Sequence, residues 1–226
     1  MKIGASLNYA DLETRARQSQ GISNAAIYRM VAEAMEKYQV GGEMIVDAGC
    51  GAGNLRSFIR DRFGRYTGAD AVRYEGFPAD AEFYFANLDA GTIPLPDECA
   101  DAVVAVETIE HLENPRAFMR ELARVAKSGG WVIVTTPNQL SLLSLLTLII
   151  KHRFSAFQDV HYPAHLTALL EVDLKRIATE CGLANLGIEY SMQGRLILTP
   201  LSYPRFLSRL FPRAFSDNLL LIGKKP

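Results

Sequence analysis

Apolar positions along this chain change their period block by block. Ile27, Met30, Val31, Ala34, Met35 and Tyr38 recur at i, i+3, i+4, i+7 spacing, which predicts a helix with one buried face. Ser23 and Asn24 are both good N-caps for it, and Gly41-Gly42 ends it near Tyr38. The pattern then collapses into short apolar runs. Met44–Asp47, Tyr66–Ala69, Glu82–Ala86, Asp101–Val106, Trp131–Thr135, Gly187–Met192 and Asn218–Gly223 read as seven strands. The near-continuous apolar run of the fourth is expected of a strand covered on both faces. Helical patterns separate several of them. One runs from about Asn54 to Phe63 and is closed by Gly64. Another is capped by Asn114, with Pro115 in its first turn, runs to about Lys127 and is stopped by Ser128-Gly129-Gly130. A third spans about 171–181 and is closed by Gly182. Strands alternating with helices predict an α/β fold, a doubly wound and mostly parallel sheet.

Two stretches break the alternation. Residues 138–165 begin with the apolar run Leu140–Ile150, continue through Lys151, His152 and Arg153, and end in a loop bearing His161 and His165. The run is interrupted by Ser and Thr and is too short to span a bilayer. Residues 194–216 place Phe206, Leu207, Leu210 and Phe211 among Arg205, Arg209 and Arg213, arginines four apart that would align along one helix face. Residues 1–22 are polar and poorly patterned, an arm or a cap over a ligand site. The division expected is a single domain over 1–226, with an arm and helix at 1–42, a ligand-binding core at 43–137, and insertions at 138–165 and 194–216.

The chemistry gathers where the first strand ends. Met44-Ile45-Val46-Asp47 is followed by Ala48-Gly49-Cys50-Gly51-Ala52-Gly53, and Asn54 then opens a helical pattern. Strand, glycine turn and helix form the nucleotide-binding half of a doubly wound sheet. Glycines there permit backbone angles closed to other residues and let a ligand lie on the main chain. Asp70, at the end of the second strand, stands where an acidic residue bonds ribose hydroxyls.

Composition narrows the setting. The net charge of −1 gives no sign of a nucleic-acid binder, although residues 138–226 carry ten Lys/Arg against six Asp/Glu and the rest of the chain is acidic. Cys50, Cys99 and Cys181 form no C-x-x-C pair, which favours a reducing compartment and argues against a zinc site. No leader pattern is visible at Met1-Lys2-Ile3-Gly4, so the expected location is cytoplasmic.

The spacing Gly49-x-Gly51-x-Gly53, the acidic residue before it and the late pair of strands are a poor fit to a dinucleotide domain. They resemble instead a class I S-adenosylmethionine-dependent methyltransferase, of the group that includes small-molecule and quinone-type enzymes. The residues carrying the resemblance are Val46 to Gly53, Gly68-Ala69-Asp70, Asn87-Leu88-Asp89, Ile93 to Asp97, Ala100 to Val104, Glu107 to Leu112, Glu121 to Gly130 and Thr135 to Asn138, covering about 43–138. The resemblance implies a Rossmann-like seven-stranded sheet with an antiparallel last strand, and S-adenosyl-L-methionine as cofactor. It also implies roles: Asp47, Ala48, Gly49, Cys50 and Gly51 against the methionine portion, Asp70 on the ribose, Ala71 or Val72 against the adenine. Leu88 and Asp89 would sit at the adenine edge, with Val106 and Glu107 near the donated methyl.

The acceptor is less marked. Glu107-Thr108-Ile109-Glu110 lacks the Asn/Asp-Pro-Pro-aromatic motif of enzymes that methylate amino groups of bases, and no Pro-Cys nucleophile is present. A small molecule or lipid-like head remains, without nucleic acid. The insertions suggest cover for the core, a homodimer face, a lid over the acceptor or contact with a membrane surface. His111 either bonds backbone or lines the site, and His161 or His165 is a candidate general base for an oxygen nucleophile. The latter two have metal-ligand spacing but no third ligand in sequence reach, so no metal is expected. Two rivals stay open: a nicotinamide-dependent oxidoreductase on a similar sheet, and a non-catalytic S-adenosylmethionine-binding protein.

Overall fold

The computed structural model describes residues 21–197, 199 and 201–226. The first twenty residues of the expected arm lie outside the described residues. Helix α1 (Ala25–Lys37) is capped by the Asn24 side chain, which accepts from the Ala26 N–H at 2.9 Å. The strands are β1 (Gly42–Ala48), β2 (Phe63–Asp70), β3 (Glu82–Phe85), β4 (Ala100–Ala105), β5 (Ala126–Pro137), β6 (Ala184–Tyr190) and β7 (Asn218–Lys224). They form one sheet in the order β3-β2-β1-β4-β5-β7-β6. β7 runs antiparallel to both β5 and β6, and the pairs from β3 through β5 are parallel. The doubly wound, mostly parallel seven-stranded sheet with an antiparallel last strand is therefore observed.

Each face of the sheet carries its own core. On one, α3 (Pro115–Val125) and α5 (Glu171–Glu180) bring Phe118, Met119, Leu122, Leu174 and Ile177 onto Val46, Val103 and Val132. On the other, α1 brings Ile27, Val31 and Met35 onto Ile45, Val104 and Ile133. Burial of both faces explains why β4 is apolar at nearly every position.

Three expected boundaries move. The helix after the glycine turn is the single turn α2 (Arg56–Ile59), because Gly42 pairs with Phe63 and Met44 with Arg65, so the chain must already be extended at Phe63. The stop at Ser128-Gly129-Gly130 belongs to β5 rather than to the end of a helix. Ala126 lies opposite Ala100, and the register then shifts so that Trp131 faces Ala102. The third concerns the insertions. α4 (Leu142–Lys151) lies outside the sheet's cores, with only Ser144 buried and with Ile149 and Ile150 70% and 73% exposed. α6 (Arg205–Leu210) has six residues, so Arg213 falls beyond it and pairs with Glu171 at 2.9 Å. The row of three arginines on one helix face does not form.

Candidate functional site

In a parallel sheet the strands end on one edge, and ligands bind outside those ends where the strand order reverses. Here β1 is flanked by β2 and β4, and a cavity of about 620 Å³ opens at that edge. Among the described residues its wall takes Asp47, Gly49, Cys50 and Gly51 from the glycine turn, Asp70 and Ala71 from the end of β2, and Leu88 and Asp89 from the short turn after β3. Val106 to Glu110, without Ile109, and His111 come from the end of β4, and His161 and His165 from the first insertion. Gly21 to Asn24 complete it beside α1. Five carboxylates and three histidines line the cavity, with no lysine or arginine among the described residues.

The glycine turn is built by backbone constraint. Gly49 and Gly51 have φ of 80° and 51°, angles that favour glycine. A Cβ on Gly49 would meet the Thr108 hydroxyl at 2.3 Å, and one on Gly51 would meet the Gly21 carbonyl oxygen at 2.1 Å. The turn therefore packs against the protein's own chain, since Ala52 N–H also donates to that carbonyl at 2.9 Å. Asp70 ties turn to sheet: Oδ2 accepts from Gly51 N–H at 2.9 Å and Oδ1 from Val72 N–H at 3.3 Å. Val72 is buried and serves as this donor; it is not part of the cavity wall. Burial raises Asp70 above the usual carboxylate range, against the pull of those N–H groups.

Asp47 ends β1 almost completely buried. The Tyr66 hydroxyl donates to Oδ2 at 2.5 Å, while Oδ1 has no partner. Burial pushes its pKa up to about 7; the Tyr66 hydroxyl opposes the shift and the Asp70 charge adds to it. Cys50 is buried beside it, its thiol driven upward by burial and by both aspartates, so it packs rather than attacks. Asp89 accepts from the Glu113 N–H at 2.7 Å, which fixes the turn carrying Leu88.

The opposite pole of the cavity follows β4. Glu107 has φ of 48°, and its oxygens accept from the Thr135 hydroxyl at 2.9 Å and the Asn218 amide at 2.8 Å. Glu110 is fully buried; Oε2 accepts from the Thr136 hydroxyl at 3.2 Å and Oε1 has no partner. Burial pushes Glu110 up to about 8, and burial together with the neighbouring Glu110 raises Glu107. The histidines meet here although 54 residues separate His111 from His165: their rings lie edge to face at 4.7 Å. Leu166 and Thr167 donate their N–H groups to the Glu110 carbonyl at 2.9 and 3.0 Å, which holds the insertion against β4's end.

Hydrogen bonds settle the tautomers. Nδ1 of His111 bonds the Ala164 carbonyl at 2.8 Å, and Nδ1 of His165 bonds the Ala156 carbonyl at 2.7 Å. A carbonyl only accepts, so both Nδ1 atoms carry the proton and each lone pair lies on Nε2. His161 is the reverse: its Nδ1 accepts from the Gln158 N–H at 3.1 Å, so in the neutral ring Nε2 carries the proton. This removes His161 as a base and leaves it a donor. Burial lowers His161, and burial with the neighbouring His111 lowers His165 to about 4. Both alternatives for His111 hold at once, since it bonds backbone and lines the cavity. Glu110, Thr108 and Tyr66 were given no role by sequence reasoning. The Glu107-Thr108-Ile109-Glu110-His111 run was the signal for the first two; Tyr66 left none, because its partner is reached only across the sheet.

The wall suits S-adenosylmethionine, a cofactor with two cationic groups and a ribose. The partnerless Oδ1 of buried Asp47 and an acidic lining without lysine or arginine match the charge. Asp70 stands at the end of β2, on the cavity wall. Comparisons agree. Residues 46–134 match the family model described as a methyltransferase domain. A probable S-adenosylmethionine-dependent methyltransferase of Mycolicibacterium smegmatis is 32% identical over 107 residues, 46% of this chain and 42% of that protein. A ubiquinone biosynthesis O-methyltransferase of Rhizobium etli is 25% identical over 196 residues, 82% of this chain and 74% of that one. The crystal structure of a SAM-dependent methyltransferase from Archaeoglobus fulgidus superposes with a TM-score of 0.62 at 19% identity, covering 88% of this chain and 94% of the other, which shows the shared fold. The match spans about half the length, or less, of the first curated relatives. From its glycine turn to its fifth strand the chain is similar to the methyltransferase domain of these S-adenosylmethionine-dependent enzymes.

Proposed function

We propose that this chain transfers a methyl group from S-adenosylmethionine to a hydroxyl oxygen of a small-molecule or lipid-like acceptor. The observation that carries the reading is the polarity of the cavity: aspartates at the ends of β1 and β2, and a Glu110–His111–His165 cluster at the end of β4. When bound, the cofactor supplies a methyl already activated by a positively charged sulfur. Asp47 and the turn from Gly49 to Gly51 hold the methionine portion, Asp70 the ribose, and Ala71, Leu88 and Asp89 the adenine; Ala48, expected beside them, is fully buried and off the cavity wall. Val106 and Glu107 border the space between the two poles. The residues' further task is to orient an oxygen there, exclude water and accept a proton. The lone pairs on Nε2 of His111 and His165 are suited to the last step; His161 donates to the acceptor instead. The Rhizobium etli relative is an O-methyltransferase, which supports oxygen as the accepting atom.

A lipid-like acceptor is favoured by the exposed apolar residues of α4 and α6, including Ile149, Ile150, Phe206 and Leu210. Val160, His161, Tyr162, Ala164 and His165 of the first insertion line the cavity, whereas the Leu140–Ile150 run does not, so a lid over the acceptor is the role of the loop rather than of the helix.

Thermal melting with added cofactor tests the reading, because a ligand that binds only the folded state stabilises it. S-adenosylmethionine raises the melting temperature and a nicotinamide dinucleotide does not; the opposite result overturns the proposal. Transfer of labelled methyl to a hydroxyl-bearing acceptor then separates an enzyme from a non-catalytic binder.

A further inference from the structure

The acceptor pole of the cavity has the make-up of a cation site. Glu110, His111 and His165 each offer a ligand atom, and these atoms all lie within 4.8 Å of one another. Glu110 is 0% exposed and its Oε1 is partnerless, a costly state for a buried carboxylate oxygen. The imidazoles are oriented as ligand histidines are: each Nδ1–H donates to a backbone carbonyl, which fixes the ring and puts the lone pair on Nε2. Glu107 faces the same space with its oxygens held by Thr135 and Asn218.

Nor is the cluster an accident of a loose loop. The carbonyl of Glu110 takes two N–H groups from residues 166 and 167, and the Thr167 hydroxyl donates to the Leu112 carbonyl at 2.8 Å. These bonds bring the histidine of the insertion to the end of β4. Among the described residues no lysine or arginine lines the cavity to neutralise Glu110.

We propose that Glu110, His111 and His165 bind one divalent first-row transition cation at the acceptor end of the cavity. Two imidazole nitrogens and one carboxylate suit Mn²⁺, Fe²⁺, Co²⁺ or Zn²⁺ better than Mg²⁺ or Ca²⁺, which favour all-oxygen sets. Three protein ligands leave coordination positions open, and the open side is the cavity. That an oxygen of the acceptor takes one of these positions rests on the function proposed above; binding of the cation does not. With the ion bound, the lone pairs of Glu110, His111 and His165 serve as ligands and no longer as bases. The ion would instead lower the pKa of a coordinated acceptor hydroxyl held beside the site of methyl transfer.

The test titrates the metal-free protein, stripped with a chelator, with MnCl2, and follows free Mn²⁺ by its electron paramagnetic resonance signal. The wild type should take up one Mn²⁺ per chain, and Mg²⁺ should compete only at large excess. His165→Ala and Glu110→Gln should each weaken binding by about 10-fold or more, with cooperative melting retained as the check on folding. His152→Ala, at the end of α4 and outside the cavity wall, should bind as the wild type does. No uptake at millimolar Mn²⁺, or uptake unchanged in both ligand variants, overturns the site. S-adenosylmethionine affinity measured with chelator present reports on the cofactor reading alone, so either proposal can fail without the other.

Discussion

The hydroxyl of Tyr66, on β2, donates to Oδ2 of Asp47 at 2.5 Å across the sheet, and the other carboxylate oxygen is buried with no partner. One hydrogen bond is too little to keep a buried carboxylate ionised, so Asp47 titrates near 7 rather than at the ordinary value of 3.8. Between those values the unfolded chain has released this proton while the folded chain retains it. Stability therefore falls as pH rises from about 4 to about 7 and is level above, by an amount on the order of a few kcal/mol. Asp47→Asn should remove that slope: its melting temperature should gain on the wild type's from pH 4 to pH 8. Parallel curves would show that Asp47 is ionised throughout. A cation against Oδ1 draws the same pKa down, so affinity for S-adenosylmethionine should rise over this window in the wild type only.

Gly51→Ala should damage the site through the protein's own backbone. A Cβ there meets the Gly21 carbonyl oxygen at 2.1 Å, at a residue whose φ is already positive. Relief requires Gly21 to move, and Gly21 to Asn24 form part of the cavity wall. The expected outcome is a loss of stability of about 1–3 kcal/mol, together with weaker binding of S-adenosylmethionine. Denaturant melts and calorimetry check the two separately.

How much of this was legible in the chain depends on distance along it. Asp47, the glycines and Asp70 belong to a local strand–turn–strand unit, and the spacing of residues alone places them at one edge. Phe63 was less legible because helix pattern and strand pattern overlap for short apolar runs, and only pairing with Gly42 decides between them. The meeting of His111 with His165 left no local signal, since it depends on hydrogen bonds from residues 166 and 167 to the Glu110 carbonyl. In the sequence, His161 and His165 offered one candidate base between them, and metal-ligand spacing with no third ligand in reach. The fold does stack His161 on His165, at 5.4 Å between ring centres, but it also sets His111 edge to face with His165. Only His111 and His165 present Nε2 lone pairs, while His161 is left a donor.

Asp70→Ala should cost both affinity and stability, whereas Asp70→Asn should recover part of the second. The carboxylate accepts two backbone N–H groups within the glycine turn and the turn after β2. Truncation leaves those buried donors unsatisfied at about 1–3 kcal/mol. An asparagine oxygen can still accept from Gly51. Unchanged melting of Asp70→Ala in the absence of cofactor would show that the turn holds without it.

The last expectation concerns the faces turned outward. α4 buries a serine and exposes Ile149 and Ile150, the reverse of an amphipathic helix packed on a core. α6 exposes Phe206 and Leu210 at 62% and 67%, with Arg205 and Arg209 on the same short helix. Apolar side chains with a basic flank are suited to an anionic bilayer surface, and no helix among the described residues is long and apolar enough to cross one. Vesicles containing anionic phospholipid should therefore carry the protein upward in flotation, less so as salt is raised. Ile149→Glu with Ile150→Glu should abolish flotation, and Arg205→Glu with Arg209→Glu should weaken it. Arg213→Glu should act differently, because it breaks the ion pair to Glu171 and destabilises the fold near α5. A wild type that never floats but sediments at twice the chain mass, and returns to monomer in the Ile149 and Ile150 variant, would assign the same surface to a homodimer.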